Sequence, residues 1–253
     1  MSNTVAYKKY KGNSAGYTLV EMAITVSIIG ILIGITMLTQ QYMQAARFRS
    51  VISDLDMFQS AIANFSQQYG ALPGDFNNGS GIWGTSCAST VSNCNGNGNG
   101  FIDHSTVSAQ NNEMCRGWQH LKLAGMLSIN VNGVCVGTGA QADSTNAPAS
   151  KLGGGYSIGS WSSPATFSYT GATNITRNFI SLGDWATNSH ASGALLNGAE
   201  AYNIDVKIDD GLPGNGSLIS SSAGTCSSGT TYNTASYRTT SSSKICTLYY
   251  LIP

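Results

Sequence analysis

Between Met22 and Thr39 the chain carries no charged residue and is mostly apolar: "MAITVSIIGILIGITMLT". As a helix this run covers about 27 Å, close to the thickness of a bilayer's hydrocarbon core. Because a lipid interior offers no water to the backbone, such a segment either spans as a helix or is removed as a secretory signal. The second reading has little to support it, since the following "TQQYMQAARF" lacks a good A-x-A site and continues as helix. Lys8, Lys9 and Lys11 precede the run with no acid beside them. By the positive-inside rule they hold the N-terminus in the cytoplasm and send everything after Thr39 across the membrane. One carboxylate, Glu21, stands at the front of the run. At membrane depth it costs about 2.5 to 3.5 kcal/mol at a helix centre and less near an end, so it calls for a partner or a route to the headgroups.

Beyond the run, Phe48, Val51, Leu55, Phe58, Ile62, Phe65 and Tyr69 fall at alternating steps of three and four, the period of one apolar helical stripe. No proline interrupts residues 17 to 69, and Gly70 and Pro73 end the pattern. The expected organisation is a leader over 1–16, a long helix over 17–69 whose part at about 17–39 spans a membrane, and one globular domain over 70–253 onto which the second half of the helix packs.

The junction between leader and helix carries a resemblance. Gly16 closes the basic leader, aromatic Tyr17 follows, and "TLVE" opens the helix. This order resembles the class III leader of type IV pilins and type II secretion pseudopilins, over roughly residues 8 to 40. The resemblance implies that a membrane-embedded prepilin peptidase cuts between Gly16 and Tyr17 and methylates the new Tyr17 amine. It also implies that Glu21 neutralises the Tyr17 amine of a neighbouring subunit in a packed filament. Tyr17 replaces the commoner phenylalanine, and the leader exceeds the shortest ones. Farther on, "YGALPGDF", "NGNGNGFID", "GWQHLKLAGML" and "AYNIDVKIDDGLPGNG" are similar to a pattern found among longer pilin-like proteins.

The remainder reads as mixed helix and strand, giving an α+β class with an antiparallel sheet and long loops. "INVNGVCVG" suggests a tight hairpin at Asn132-Gly133. Leu195, Leu196, Ala199 and Tyr202 have helical spacing, closed by Gly211 and Pro213. "ATFSYT", "RNFISL" and "KICTLYYLI" are β-rich, the last reading as a central strand, while 137–150 and 220–243 read as surface loops.

All six cysteines, Cys87, Cys94, Cys115, Cys135, Cys226 and Cys246, follow the proposed span, on the oxidising side of the membrane, which favours disulfides. Their spacing supports neither zinc nor c-type haem and does not choose among the pairings. Pairing of sequence neighbours is the expectation: Cys87 with Cys94, Cys115 with Cys135, and Cys226 with Cys246. The last of these is similar to the C-terminal disulfide loop of many pilins.

Other chemistry is sparse. All 12 acidic residues, but only 9 of the 12 basic ones, lie after Gly16, so the body is mildly acidic and shows no basic stripe for nucleic acid. No G-x-S-x-G or P-loop setting is present, and His120 in "GWQHLKLAG" reads as an ordinary helix residue, so no enzyme is expected. Calcium is the one cofactor with a sequence basis. Asn95, Asn97, Asn99 and Asp103 imitate an EF-hand loop, with Asp75 or Glu113 available to add charge. Asp205, Asp209 and Asp210 form a second acidic turn.

The resulting expectation is a structural subunit of a type IV pilus or type II secretion pseudopilus. It is single-pass in a bacterial inner membrane with its domain in the periplasm, then in an extracellular filament or periplasmic pseudopilus. Expected partners are the prepilin peptidase, other pilin or pseudopilin subunits, the inner-membrane assembly platform and the lipid bilayer. A minor pilin recognising a surface, DNA or cargo is the alternative.

Overall fold

A computed structural model describes residues 16–104, 112–137, 141–161, 169–170, 177–221 and 225–252. The chain divides into two compact units, one ending at Ala46 and the other beginning at Arg47. A single helix, α1 (Leu19–Tyr69), supplies residues to both. It stops where expected, with Gly70 at φ 70° and its N–H bonded to the Ser66 carbonyl at 2.9 Å. Glycine adopts this left-handed conformation without a Cβ penalty.

In the first unit, Leu19–Thr36 has a mean hydropathy of 2.2 and no residue buried. In the second, the α1 stripe Phe48, Val51, Leu55, Phe58, Ile62 and Phe65 is buried at the spacing read from the sequence. Phe58 stands edge-on to Trp118 at 4.8 Å and to Tyr156 at 5.0 Å.

The stripe packs into a core shared with a four-stranded antiparallel sheet. Its strands are β1 (Gly155–Ser160), β2 (Asn178–Gly183), β3 (Leu218–Ser220) and β6 (Leu248–Ile252), in the spatial order β1-β2-β6-β3. Side chains alternate across the sheet as the period of two requires. Tyr156, Ile158, Ile180, Leu182, Leu248 and Tyr250 face the main core, and Phe179, Ile219, Tyr249 and Leu251 form a second cluster with Trp161. The C-terminal run therefore is an interior strand. Tyr156 Oη donates to Asp54 at 3.0 Å and Tyr250 Oη to Gln59 at 2.8 Å, tying the sheet to α1.

Helix α3 (Glu113–Leu123), N-capped by the Asn112 side chain, fits between the turn after α1 and strand β1. Gly117 makes that approach feasible, because a Cβ there would run into Ile158 Cδ1 and the Pro73 carbonyl. A short helix α2 (Gly79–Trp83) precedes it. Disulfides join Cys87–Cys94, Cys115–Cys135 and Cys226–Cys246, and none of the six cysteines is free.

Three sequence expectations need correction. At Asn132-Gly133 the turn exists, with Gly133 at φ 71°, but no strands flank it. Val131 is buried, and Cys135 is tied to Cys115 on α3, so the segment lies against that helix instead of pairing with itself. The helix expected from Leu195 begins later: α4 (Gly198–Ile208) starts at a capping box in which Asn197 and Glu200 bond reciprocally. Leu195 and Leu196 are buried in extended chain against Cys246, Ala199 is only half-buried and Tyr202 is exposed; the buried stripe is Ala201, Ile204 and Asp205. The stretch 220–243 is more than a loop, since β4 (Ser227–Ser228) and β5 (Ser236–Tyr237) pair within it and bury Cys226, Ala235 and Tyr237. In 137–150, Ala142, Asn146 and Ala147 are likewise buried. Most of the strand expected at "ATFSYT" lies outside the described residues.

Candidate functional site

The strongest site is the start of α1. Gly16 and Tyr17 lie in exposed, non-helical backbone just before the helix, and Tyr17 is 83% exposed. A protease needs an extended, accessible peptide, and helical backbone at this point would deny it. Thr18 and Glu21 form a capping box: Thr18 N and Oγ1 both donate to Glu21 Oε2 at 2.8 Å, and Glu21 N donates to Thr18 Oγ1 at 3.2 Å. Thr18 was not singled out from sequence, although T-x-x-E before an apolar run is a recognisable cap. The box engages one oxygen of Glu21 with its own chain, and the side chain remains exposed. Gly30 and Gly34, one turn apart, leave open space on the helix surface, a small-residue spacing that permits close helix approach in lipid.

The expected calcium positions have different geometries. Around residues 95–103 the asparagine oxygens are already accepting backbone N–H groups: Asn95 Oδ1 from Ser80, Asn97 Oδ1 from Asn99, and Asn99 Oδ1 from Phe101. The amide nitrogens of Asn97 and Asn99 point at Asp103 Oδ2, each at 2.8 Å. Asp75 accepts from Asn99 and Gly100, and Glu113 from Asn97 and Asp103. In this arrangement the Asn97 and Asn99 amide N–H groups face the Asp103 carboxylate, and the Asp75 and Glu113 carboxylates hold the loop's backbone. Burial, the largest effect, pushes the Glu113 carboxyl up to about 7. At the second place, Asp205, Asp209 and Asp210 each offer an oxygen within 4.8 Å of the others, a spacing that fits one cation. All three also accept hydrogen bonds: Asp205 from Tyr237 Oη and Gly211 N, Asp209 from Ser217 and Leu218, and Asp210 from Leu212 and Asn215. Burial pushes Asp205 up to about 7.

His120, buried on α3, has both ring nitrogens engaged. Gly74 N donates to Nδ1 at 3.0 Å, so Nε2 carries the proton and donates to the Cys94 carbonyl at 2.9 Å. The ring stacks on Phe65 at 6.0 Å, and burial pushes its pKa down to about 4. Gln119 Nε2 donates to the Cys87 carbonyl at 2.8 Å. "GWQHL" thus joins α1, the turn after it and the first disulfide loop, which is scaffold work. An open groove of about 700 Å³ at the end of α1, lined in part by Tyr69, Asp75, Phe76 and Asn178, brings no nucleophile together with a base among the described residues.

Comparison with curated proteins and with solved structures returned no match. The prokaryotic N-terminal methylation motif matches residues 11–37, and the family defined by this motif is structural rather than catalytic. The matched segment contains Gly16, Tyr17, Thr18 and Glu21 and most of the exposed apolar helix. By that match the chain carries the class III prepilin leader of type IV pilins and pseudopilins.

Proposed function

We propose that this chain is a structural subunit of a type IV pilus or type II secretion pseudopilus. A prepilin peptidase cuts after Gly16 and methylates the Tyr17 amine. The apolar half of α1 holds the subunit in the inner membrane, with the disulfide-bonded domain in the periplasm, until the assembly platform passes it into a filament of pilin or pseudopilin subunits. Glu21 then exchanges its capping contacts for the Tyr17 amine of a neighbour. The observation that carries this reading is the sequence Gly16, Tyr17, Thr18, Glu21 in front of a helix whose apolar surface is wholly exposed from Leu19 to Thr36. That surface needs lipid first and other helices afterwards.

Intact mass spectrometry of membrane material should show loss of residues 1–16 and gain of one methyl group on Tyr17. An N-terminus at Met1 or near Ala46 overturns the reading. Glu21→Ala should be inserted and processed yet poorly incorporated into filaments; normal incorporation would reduce Glu21 to a helix cap.

A further inference from the structure

Past the apolar run, α1 carries two arginines and two aspartates: Arg47, Arg49, Asp54 and Asp56. Opposite charges on one helix meet at spacings of three or four, and none of these four has a partner at that distance. Arg47, Arg49 and Asp56 are exposed, and neither arginine makes an ion pair among the described residues. Asp54 is half-buried. Tyr156 Oη on β1 donates to its Oδ2 at 3.0 Å, which fixes the carboxylate on the surface, while Lys151 adds attraction from the same chain.

The positions of these charges make the helix complementary to a shifted copy of itself. At about 100° per residue, Arg49 and Asp54 lie about 140° apart around the axis. They are therefore on different faces, as a contact that repeats from copy to copy along an open assembly requires. The axial spacing agrees as well. A neighbour's Tyr17 amine comes level with Glu21 when that copy is displaced four residues toward the C-terminal end, about 6 Å. A displacement of five residues, about 7.5 Å, brings the neighbour's Arg49 level with Asp54. The difference is one residue's rise, about 1.5 Å, well within the reach of an arginine side chain.

We propose that Arg49 of one subunit pairs with Asp54 of the adjacent copy in the filament, a second charge contact set by the same stagger as Tyr17 with Glu21. The inference rests on the filament-subunit reading above. Its partner is a second copy of this chain, chosen by charge complementarity. Asp56 lies about 160° round the helix from Asp54 and takes no part in this contact.

Charge reversal in full-length protein, expressed with its assembly machinery, tests the pair. Sheared filament yield is measured against total processed protein in the membrane. Arg49→Glu and Asp54→Arg should each lower the yield about tenfold, equivalent to roughly 1.4 kcal/mol per assembly step. The combined Arg49→Glu/Asp54→Arg protein should recover most of it, and Asp56→Arg should assemble normally. Because Asp54→Arg also takes the acceptor from Tyr156, proximity is read independently of yield: Arg49→Cys/Asp54→Cys, treated with a short bis-maleimide crosslinker, should give a ladder of covalently linked subunits in filaments. Single reversals that assemble like the parent overturn the pair. So does an Arg49→Glu defect that Asp54→Arg does not relieve and a cysteine pair that gives no ladder, the pattern expected if the arginine meets anionic lipid headgroups instead. If the parent protein enters no filament at all, the functional reading fails, and the pair with it.

Discussion

Phe58→Ala tests whether the second half of α1 is held by the domain core. Phe58 is 2% exposed, with its ring edge-on to Trp118 on α3 and to Tyr156 on β1. Truncating a buried phenylalanine costs about 3 to 5 kcal/mol from lost transfer energy and the cavity left behind. Two aromatic contacts, each about 0.5 to 1.5 kcal/mol beyond area burial, place this site in the upper half of that range, near 4 kcal/mol. For a domain of this size about 2 to 4 °C is lost per kcal/mol, so Tm should fall by about 8 to 16 °C. The natural control is its neighbour: Met57→Ala, at a side chain 47% exposed, should change Tm little. Both variants are measured as the full chain in detergent, with disulfides intact, by near-ultraviolet circular dichroism on heating. If the two shift Tm equally, or Phe58→Ala costs less than about 1 kcal/mol, helix and sheet do not share one core.

Stability should also depend on pH through the buried carboxyls. Asp205 and Glu113 are both pushed up to about 7 in the folded protein, whereas unfolded carboxyls titrate near 4. The folded state therefore retains protons that the unfolded state releases across this window, so their contribution is fully present below about pH 4 and is lost as pH rises through about 7. His120 and His190, both pushed down to about 4, act in the opposite sense up to about pH 6.5, so the fall is read above that range: urea midpoints should drop from about pH 6.5 to about pH 8, and Asp205→Asn should flatten that slope; a midpoint rising over this interval refutes the assignment. Millimolar calcium should raise Tm by a few degrees relative to chelator through Asp205, Asp209 and Asp210. Asp210→Asn should cancel the rise and Asp103→Asn should not; an unchanged melting curve in the parent removes calcium from the account.

Much of the fold was legible because its cause is local or periodic. The α1 stripe repeats often enough that no other period fits it, and β6 reads as a strand because "LYYLI" is aromatic and apolar on both faces. Strand β1 was not legible. In "GYSIGS" only Tyr156 and Ile158 supply apolar side chains to the core, while the glycines and serines between them imitate a loop. Ser157 is buried because its hydroxyl meets Ser181 Oγ at 2.8 Å and accepts the Ala191 N–H at 2.7 Å, partners that exist only once distant segments have come together. Leu195 and Leu196 mislead for a related reason: their spacing fits α4, but their burial comes from Cys246. At the N-terminal site, Gly16, Tyr17 and Glu21 were readable in order, whereas the role of Thr18 depends on where the helix begins.

The interior place of β6 sets an order in time. Among the described residues strand β3 pairs only with β6, and the bond from Tyr250 to Gln59 spans 191 residues of sequence. Helix α1 is made early, yet Phe48 to Phe65 lack their complete cover until β6 has emerged. During that interval an aromatic, aggregation-prone surface is displayed, and closure of such distant contacts is slow. A shielding factor would protect the chain most between synthesis of Tyr69 and arrival of β6.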